Sequence, residues 1–163
     1  LAKKVRMLGN YGSAVKYNHE YQGTNSRLDE LQAGFLRVKL QYLEKWNCFR
    51  NRVAEIYLRE IVNPNIILPL PCDSIYHCIW YVFAIRCKRR NELEEFLHEN
   101  GIGTLRHYPI PLHLQKAYRT LGFQKGDFPI AEEISDTELS IPMYYGITDE
   151  EIHYVVKVIN AFK

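Results

Sequence analysis

The sequence predicts an α/β fold in which one long helix, or two helices in tandem, leads into a small sheet covered by helices. Three observations predict it. Apolar residues recur at three- and four-residue steps from Leu28 to Ile61, with no proline before Pro64. Beyond residue 65, short strand patterns and short helix patterns alternate. The chain closes on Ile152, Val155, Val156, Ile159 and Phe162, which share one helical face. At 163 residues the chain is long enough for an ordinary core.

The elements follow in order. Leu1, Val5 and Leu8 share a face, so residues 1–8 read as a helix stopped by Gly9 and Asn10. No Ser, Thr, Asp or Asn caps its start, which suits a chain cut inside a larger protein or a frayed terminus. Residues 9–25 show neither a helical nor a strand period and read as a long polar loop, of the kind that is functional or disordered. Its three tyrosines argue against disorder. Ser26 with Asp29 three residues on reads as a helix start. Leu28, Leu31, Phe35, Val38 and Tyr42 form one stripe, and Leu36, Leu40 and Leu43 a second, before Trp46, Phe49, Val53, Ile56, Tyr57 and Ile61. A helix apolar on more than one side needs cover from beyond its own domain.

After Pro64, Ile66–Leu68 reads as a short strand, and Ile75–Lys88 as the main one, with Ile79, Tyr81, Phe83, Ile85 and Cys87 on one face. A helix from Arg90 buries Leu93, Phe96 and Leu97 and stops at Gly101. Gly103–His107 and Leu139–Ile141 read as strands. Between them lie a short helix over Gln115–Leu121 and another opened by Pro129. Thr148 and Glu151 cap the last helix.

Composition excludes some classes. The chain is 47% hydrophobic and 25% charged, with a net charge of +2, which fits neither disorder nor a basic nucleic-acid-binding stripe. No apolar run approaches the roughly 20 residues of a membrane helix. Cys48, Cys72, Cys78 and Cys87 show no C-x-x-C spacing, and no signal peptide is present; they read as reduced, mostly buried thiols of a cytoplasmic protein.

The densest polar cluster is His107-Tyr108-Pro109-Ile110-Pro111-Leu112-His113. Prolines preset its backbone, which serves either a binding pocket or a rigid surface loop. His107 and His113 lack further ligands at a recognisable metal spacing. Neither a P-loop, nor G-x-G-x-x-G, nor a G-x-S-x-G elbow is present. Every lysine lies on a polar face or beside other charges, so none is suited to a Schiff base.

Several stretches, taken together, resemble the DegT/DnrJ/EryC1/StrS family of sugar aminotransferases. They are Gly9-Asn10-Tyr11-Gly12-Ser13, Lys16-Tyr17 and the run from Gly23 to Ala33 through Asn25, Arg27 and Asp29. Further on come Gly101–Thr104, the His107–His113 loop, Gln115–Tyr118 and Leu139–Met143. The likeness covers nearly all the chain, in order. It implies the C-terminal portion of the type I aminotransferase fold, an α+β domain built on a small antiparallel sheet. The implied division is a remnant of the large cofactor-binding domain over 1–25, a linking helical region over 26–62 and a small C-terminal domain over 63–163.

The resemblance further implies a homodimer dependent on pyridoxal 5'-phosphate, with the cofactor-bearing lysine upstream of Leu1 and so no catalytic residue in this chain. Asn25 would meet the cofactor phosphate of the partner subunit. Lys16 and Tyr17 would lie near a nucleotide-diphosphate sugar, and His107 and Tyr108 would line the sugar and diphosphate pocket. The implied reaction moves an amino group from an amino-acid donor, glutamate, to a keto-deoxysugar nucleotide. Two other readings remain open: a non-catalytic dimerisation or sugar-nucleotide-binding module, and a sugar dehydratase of the same family. Two departures from the family pattern bear on the substrate: Tyr81 follows Trp80 where histidine is frequent, and Arg106 stands where an aliphatic residue is usual.

Overall fold

The structure, a computed structural model, describes residues 1–71 and 78–163, which form two compact units, Leu1–Glu44 and Lys45–Lys163. The boundary between these units falls near a helix junction, after Glu44.

In the smaller unit, helix α1 (Ala2–Leu8) has no side-chain cap. Residues 9–25 are not an unstructured loop. They hold a short antiparallel hairpin of β1 (Ser13–Val15) and β2 (Asn18–His19), and Asn10 bridges Asn25 at its base. Three-residue strands with an irregular register carry too little alternation to be legible in sequence.

Glycines let this hairpin close onto α1. A Cβ at Gly12, whose φ is +77°, would lie 1.7 Å from the Tyr21 carbonyl oxygen, and one at Gly23 would lie 2.3 Å from the Gly12 nitrogen. Gly9 has φ −72°, so it does not end α1 by a left-handed turn as expected.

The next helix, α2 (Glu30–Leu40), starts later than the Ser26 pattern suggests. Asp29 is itself the cap, its carboxylate accepting from the backbone N–H of Leu31 at 2.9 Å and of Gln32 at 3.3 Å. A turn at Gln41–Tyr42 separates α2 from α3 (Leu43–Glu60), so the tandem alternative holds. No residue of α2 is buried: Leu31 is 74% exposed and Phe35 68%.

The larger unit is built on an antiparallel pair, β3 (Phe83–Arg86) and β4 (Glu138–Ile141), with Phe83 opposite Ile141 and Arg86 opposite Glu138. Single bridges widen the pair on both sides, Ile67 to Arg86 and Leu105 to Ser140. The expected strands at 66–68 and 103–107 are thus one-residue pairings. The main strand is shorter than its pattern. Phe83, Ile85 and Cys87 are buried as expected, but Ile79 and Tyr81 are exposed, and residues 75–77 lie outside the described residues.

Three helices cover the sheet. They are α4 (Arg90–Glu99), α5 (Pro129–Thr137), with its proline in the first turn, and α6 (Asp149–Ala161) behind a Thr148–Glu151 capping box. The segment Lys116–Leu121 is 3₁₀ and not α, ended by Gly122 at φ +79°. One core joins Val53, Tyr57, Phe83, Ile85, Leu93, Leu139 and Ile152.

The cysteines depart from expectation. Cys87 is buried and Cys48 exposed, but Cys78 is disulfide-bonded and not a reduced thiol. Among the described residues, no helix is long and apolar enough to cross a membrane.

Tyr57 ties α3 to the sheet. Its ring meets Phe83 edge-on at 5.1 Å, and its hydroxyl donates to the Pro142 carbonyl at 2.9 Å. Burial holds its phenol well above the usual tyrosine range. Tyr57→Phe keeps the ring and leaves that carbonyl without its partner, so urea unfolding of the variant should show a loss of about 1–3 kcal/mol.

Candidate functional site

The motif residues fall into two groups, one in each unit. Lys16, Tyr17 and Asn25 belong to the smaller unit, His107 and Tyr108 to the larger.

Lys16 and Tyr17 form the hairpin turn between β1 and β2. Tyr17 adopts φ +68°, which lifts its ring into solvent at 83% exposure. The Lys16 ammonium sits 5.0 Å above that ring, a cation–π arrangement. Lysine and tyrosine thus project together from the tip. The base of the hairpin is pinned by His19, whose Nδ1 lies 2.8 Å from Ser13 Oγ and 2.9 Å from the Tyr11 carbonyl.

Asn25 is held by Arg27. The Arg27 Nε–H donates to Asn25 Oδ1 at 2.9 Å, and the guanidinium lies over the Tyr11 ring at 5.8 Å. An arginine can only donate, so the atom facing it is the amide oxygen. The –NH2 group of this exposed residue is then left as a donor. Asn25 does not cap α2; Asp29 does.

In the larger unit, an open groove of about 1040 Å³ is lined by Tyr81, Thr104, His107, Ser140, Met143 and Tyr144 among others. His107 and Tyr108, joined by a cis peptide, stand at the start of the proline-rich loop, their rings edge to face at 5.5 Å. The two diverge in burial: His107 is half-buried, while the Tyr108 ring is exposed and its carbonyl accepts from Ser135 Oγ at 2.7 Å.

His107 is anchored by two buried residues to which sequence reasoning gave no role. Its backbone N–H donates to Glu138 at 2.7 Å, and its Nδ1 lies 2.8 Å from Ser140 Oγ. Glu138 and Ser140 alternate with Leu139 and Ile141 along β4, which puts two polar side chains on the face away from the core. That alternation was the signal available in the sequence.

Arg106, the departure from the family pattern, is paired with Glu94 on α4 and donates to Asn91 Oδ1 at 3.2 Å. The guanidinium holds the Glu94 carboxyl below the usual carboxylate range. Its partner on α4 explains why a charged residue is tolerated there. The other departure, Tyr81, is exposed at the groove, beside Trp80, which stacks on Phe83 at 5.3 Å.

At the far end of the loop, His113 Nε2 lies 3.0 Å from Glu132, whose carboxylate also accepts from the backbone N–H of Gly126 at 2.8 Å and of Phe128 at 3.4 Å. These contacts fold the 122–128 segment onto α5.

Two tests bear on the expected cofactor. The exposed Asn25 amide is a neutral donor suited to phosphate oxygens. Every lysine of the chain is exposed, so none has the desolvated setting of a Schiff-base lysine. Among the described residues, no group of three His, Cys, Asp or Glu is placed to hold a metal ion.

A sequence model of the DegT/DnrJ/EryC1/StrS aminotransferase family matches residues 1–160. The chain belongs to this family. A dTDP-3-amino-3,6-dideoxy-alpha-D-galactopyranose transaminase from Aneurinibacillus thermoaerophilus is 43% identical over 99% of this chain and 44% of its own length. Among solved structures, that of DesV from S. venezuelae, in complex with a ketimine intermediate, superposes with a TM-score of 0.91. It is 40% identical over 98% of this chain and 43% of that one. The structure of ntda from Bacillus subtilis, with bound cofactor PMP, superposes at 0.85, with 27% identity over 97% of this chain and 38% of that one.

The chain thus spans less than half the length of the relatives it matches. These matches support the fold as that of a DegT/DnrJ/EryC1/StrS aminotransferase, α/β with small antiparallel sheets. They do not bear out the expected C-terminal placement: the chain matches 44% and 43% of the length of these two relatives.

Glu132 gives a pH-dependent prediction. Its carboxyl is held below its usual value of 4.5, first by the Gly126 N–H and also by His113. A lowered value in the folded state contributes stability above the unfolded value and loses it as the pH falls through the folded one. Glu132→Gln should therefore lower the Tm at neutral pH, and the gap to the parent protein should close as the pH drops below 4.5. A gap that stays constant down to pH ~3 would contradict this origin.

Proposed function

We propose that the intact protein transfers an amino group from an amino-acid donor, glutamate, to a keto-deoxysugar carried on a nucleotide, with pyridoxal 5'-phosphate as cofactor. The observation that carries this reading is Asn25. Its amide oxygen is held by Arg27, so its nitrogen offers two donors, the form a phosphate group takes. The likeness to the Aneurinibacillus dTDP-3-amino-3,6-dideoxy-alpha-D-galactopyranose transaminase supports the substrate class.

In this reading Asn25 holds the cofactor phosphate in the partner subunit's site. Lys16 meets the diphosphate of the substrate as a mobile positive charge on an exposed hairpin tip, with Tyr17 alongside it. His107, which lines the groove, meets the sugar and diphosphate there, with the exposed Tyr108 beside it. Bound pyridoxal phosphate supplies the electron sink for the proton transfers at the amino carbon. These residues bind and orient; none moves a proton in the reaction.

The homodimer is supported by α2. Leu31, Phe35, Leu36, Val38 and Leu40 are all exposed in a single copy, far more apolar surface than one helix leaves in water unless a second surface covers it. A second copy of the same chain is the occupant this reading assigns. Sedimentation should therefore show a concentration-dependent dimer, and Phe35→Glu should shift it to monomer. A strictly monomeric parent at high concentration removes the dimer.

This reading assigns the cofactor to no lysine of residues 1–163, and so predicts no amino transfer by them alone. Treatment with pyridoxal phosphate and then borohydride, followed by peptide mass spectrometry, should find no stoichiometric pyridoxyl-lysine in the chain. A single lysine modified to completion, with glutamate-dependent turnover, would overturn it.

A further inference from the structure

The His107 anchor defines more than a position. Glu138 and Ser140 are 4% and 5% exposed, so water does not compete for their hydrogen bonds. Glu138 accepts with both oxygens, from the His107 backbone N–H at 2.7 Å and from the Ser140 hydroxyl at 2.6 Å. A carboxylate can only accept, and the Ser140 hydroxyl is the group between these oxygens that donates. The Ser140 proton therefore lies toward Glu138, because two bare oxygens at 2.6 Å would repel. Ser140 Oγ is left with lone pairs only, and His107 Nδ1, 2.8 Å away, must be the nitrogen that carries hydrogen.

The strand register makes this arrangement rigid. Leu105 and Ser140 exchange both backbone hydrogen bonds, at 3.1 and 2.8 Å. Past that single bridge, two residues on from Leu105 and two back from Ser140, His107 and Glu138 are joined by the 2.7 Å backbone N–H bond. The sheet itself thus aligns the three side chains.

We propose that Ser140 and Glu138 are positioning residues that hold His107 as its Nδ1–H tautomer, so that Nε2 is a bare hydrogen-bond acceptor at the groove. Among the described residues, Nε2 has no hydrogen-bond partner, and His107 lines the groove. An acceptor there takes a donor. The ligand group it receives is a hydroxyl, as on a hexose or ribose ring, and not a phosphate oxygen, which has only lone pairs to offer. The hydroxyl assignment rests on the nucleotide-sugar reading above; the tautomer does not. It also divides the two motif groups by chemistry, with donors at Lys16 and Asn25 for phosphates and an acceptor at His107 for the sugar.

The test is the nitrogen spectrum of the imidazole. Protein labelled with 15N-histidine, at about pH 8 and so above the usual histidine range, is examined by two-bond 1H–15N correlation. His107→Gln identifies the His107 signals. The expected result is Nε2 at the position of an unprotonated nitrogen and Nδ1 at that of a protonated one. A protonated Nε2 in the parent protein overturns the proposal without any variant having to fold.

Glu138→Gln then reverses the relay. Its amide can donate to Ser140, freeing the hydroxyl proton for Nδ1, so His107 should move to the Nε2–H form while the other histidine signals stay in place. Persistence of the Nδ1–H form in a folded Glu138→Gln protein also overturns the proposal. In the parent protein, titration with dTDP-glucose should shift Nε2 and leave it unprotonated, and inorganic pyrophosphate should leave it unmoved. Protonation of Nε2 by pyrophosphate overturns the hydroxyl assignment. If neither probe binds, the nucleotide-sugar reading falls, and the tautomer spectrum still decides the role of Ser140 and Glu138.

Discussion

Strand β4 is covered on both faces and paired on both edges, and most of the larger unit is arranged around it. Leu139 and Ile141 close the core against Tyr57, Phe83 and Ile152, while Glu138 and Ser140 face the other way. A four-residue strand buried on both sides is ordinarily apolar throughout. Here the second face is polar and each of its groups is partnered, which avoids the cost of an unmade buried hydrogen bond. The same strand that holds the fold together therefore sets the position of a side chain at the groove. The core and the anchor of His107 share one element, and a change at Glu138 or Ser140 acts on both.

Much of the fold was legible where local chemistry decides it. The Thr148–Glu151 box, Pro129 in the first turn of α5 and the apolar face of α6 each specify their structure within a few residues, and each is where the pattern puts it. The errors came where a local pattern meets a longer-range constraint. Alternation from Ile79 to Cys87 reads as one strand, yet pairing begins only at Phe83, because β4 offers four partners. Ser26 looks like a cap with Asp29 as its reply, but Asp29 holds the extended backbone of a cap itself. The hairpin of residues 13–19 was missed because a two- or three-residue strand has no period to read.

The site was legible by a different route. Spacing and composition stopped at a tyrosine-rich loop and a His-Tyr-Pro loop. The motif resemblance supplied Asn25, Lys16, Tyr17, His107 and Tyr108, and the structure shows that these residues are not equivalent. Asn25 and His107 are each held by a neighbour through a directed hydrogen bond, while Lys16, Tyr17 and Tyr108 stand out in solvent. Sequence cannot separate a locked side chain from a loose one when the lock lies 31 or 33 residues away, as Glu138 and Ser140 do from His107.

The glycines beneath the hairpin have a consequence for how this protein can vary. At Gly12 and Gly23 the chain passes so close to itself that no side chain fits, whereas the Lys16–Tyr17 tip touches little beyond its own ion–ring contact. The base tolerates almost no side chain, while at the tip the limit is the backbone, since Tyr17 holds φ +68°. Such a stem is a mount for interchangeable heads: new side chains at the tip can be tried by drift or by a randomised library without disturbing the unit that carries them. Side chains at residues 15–18 can diverge while the frame beneath stays constant.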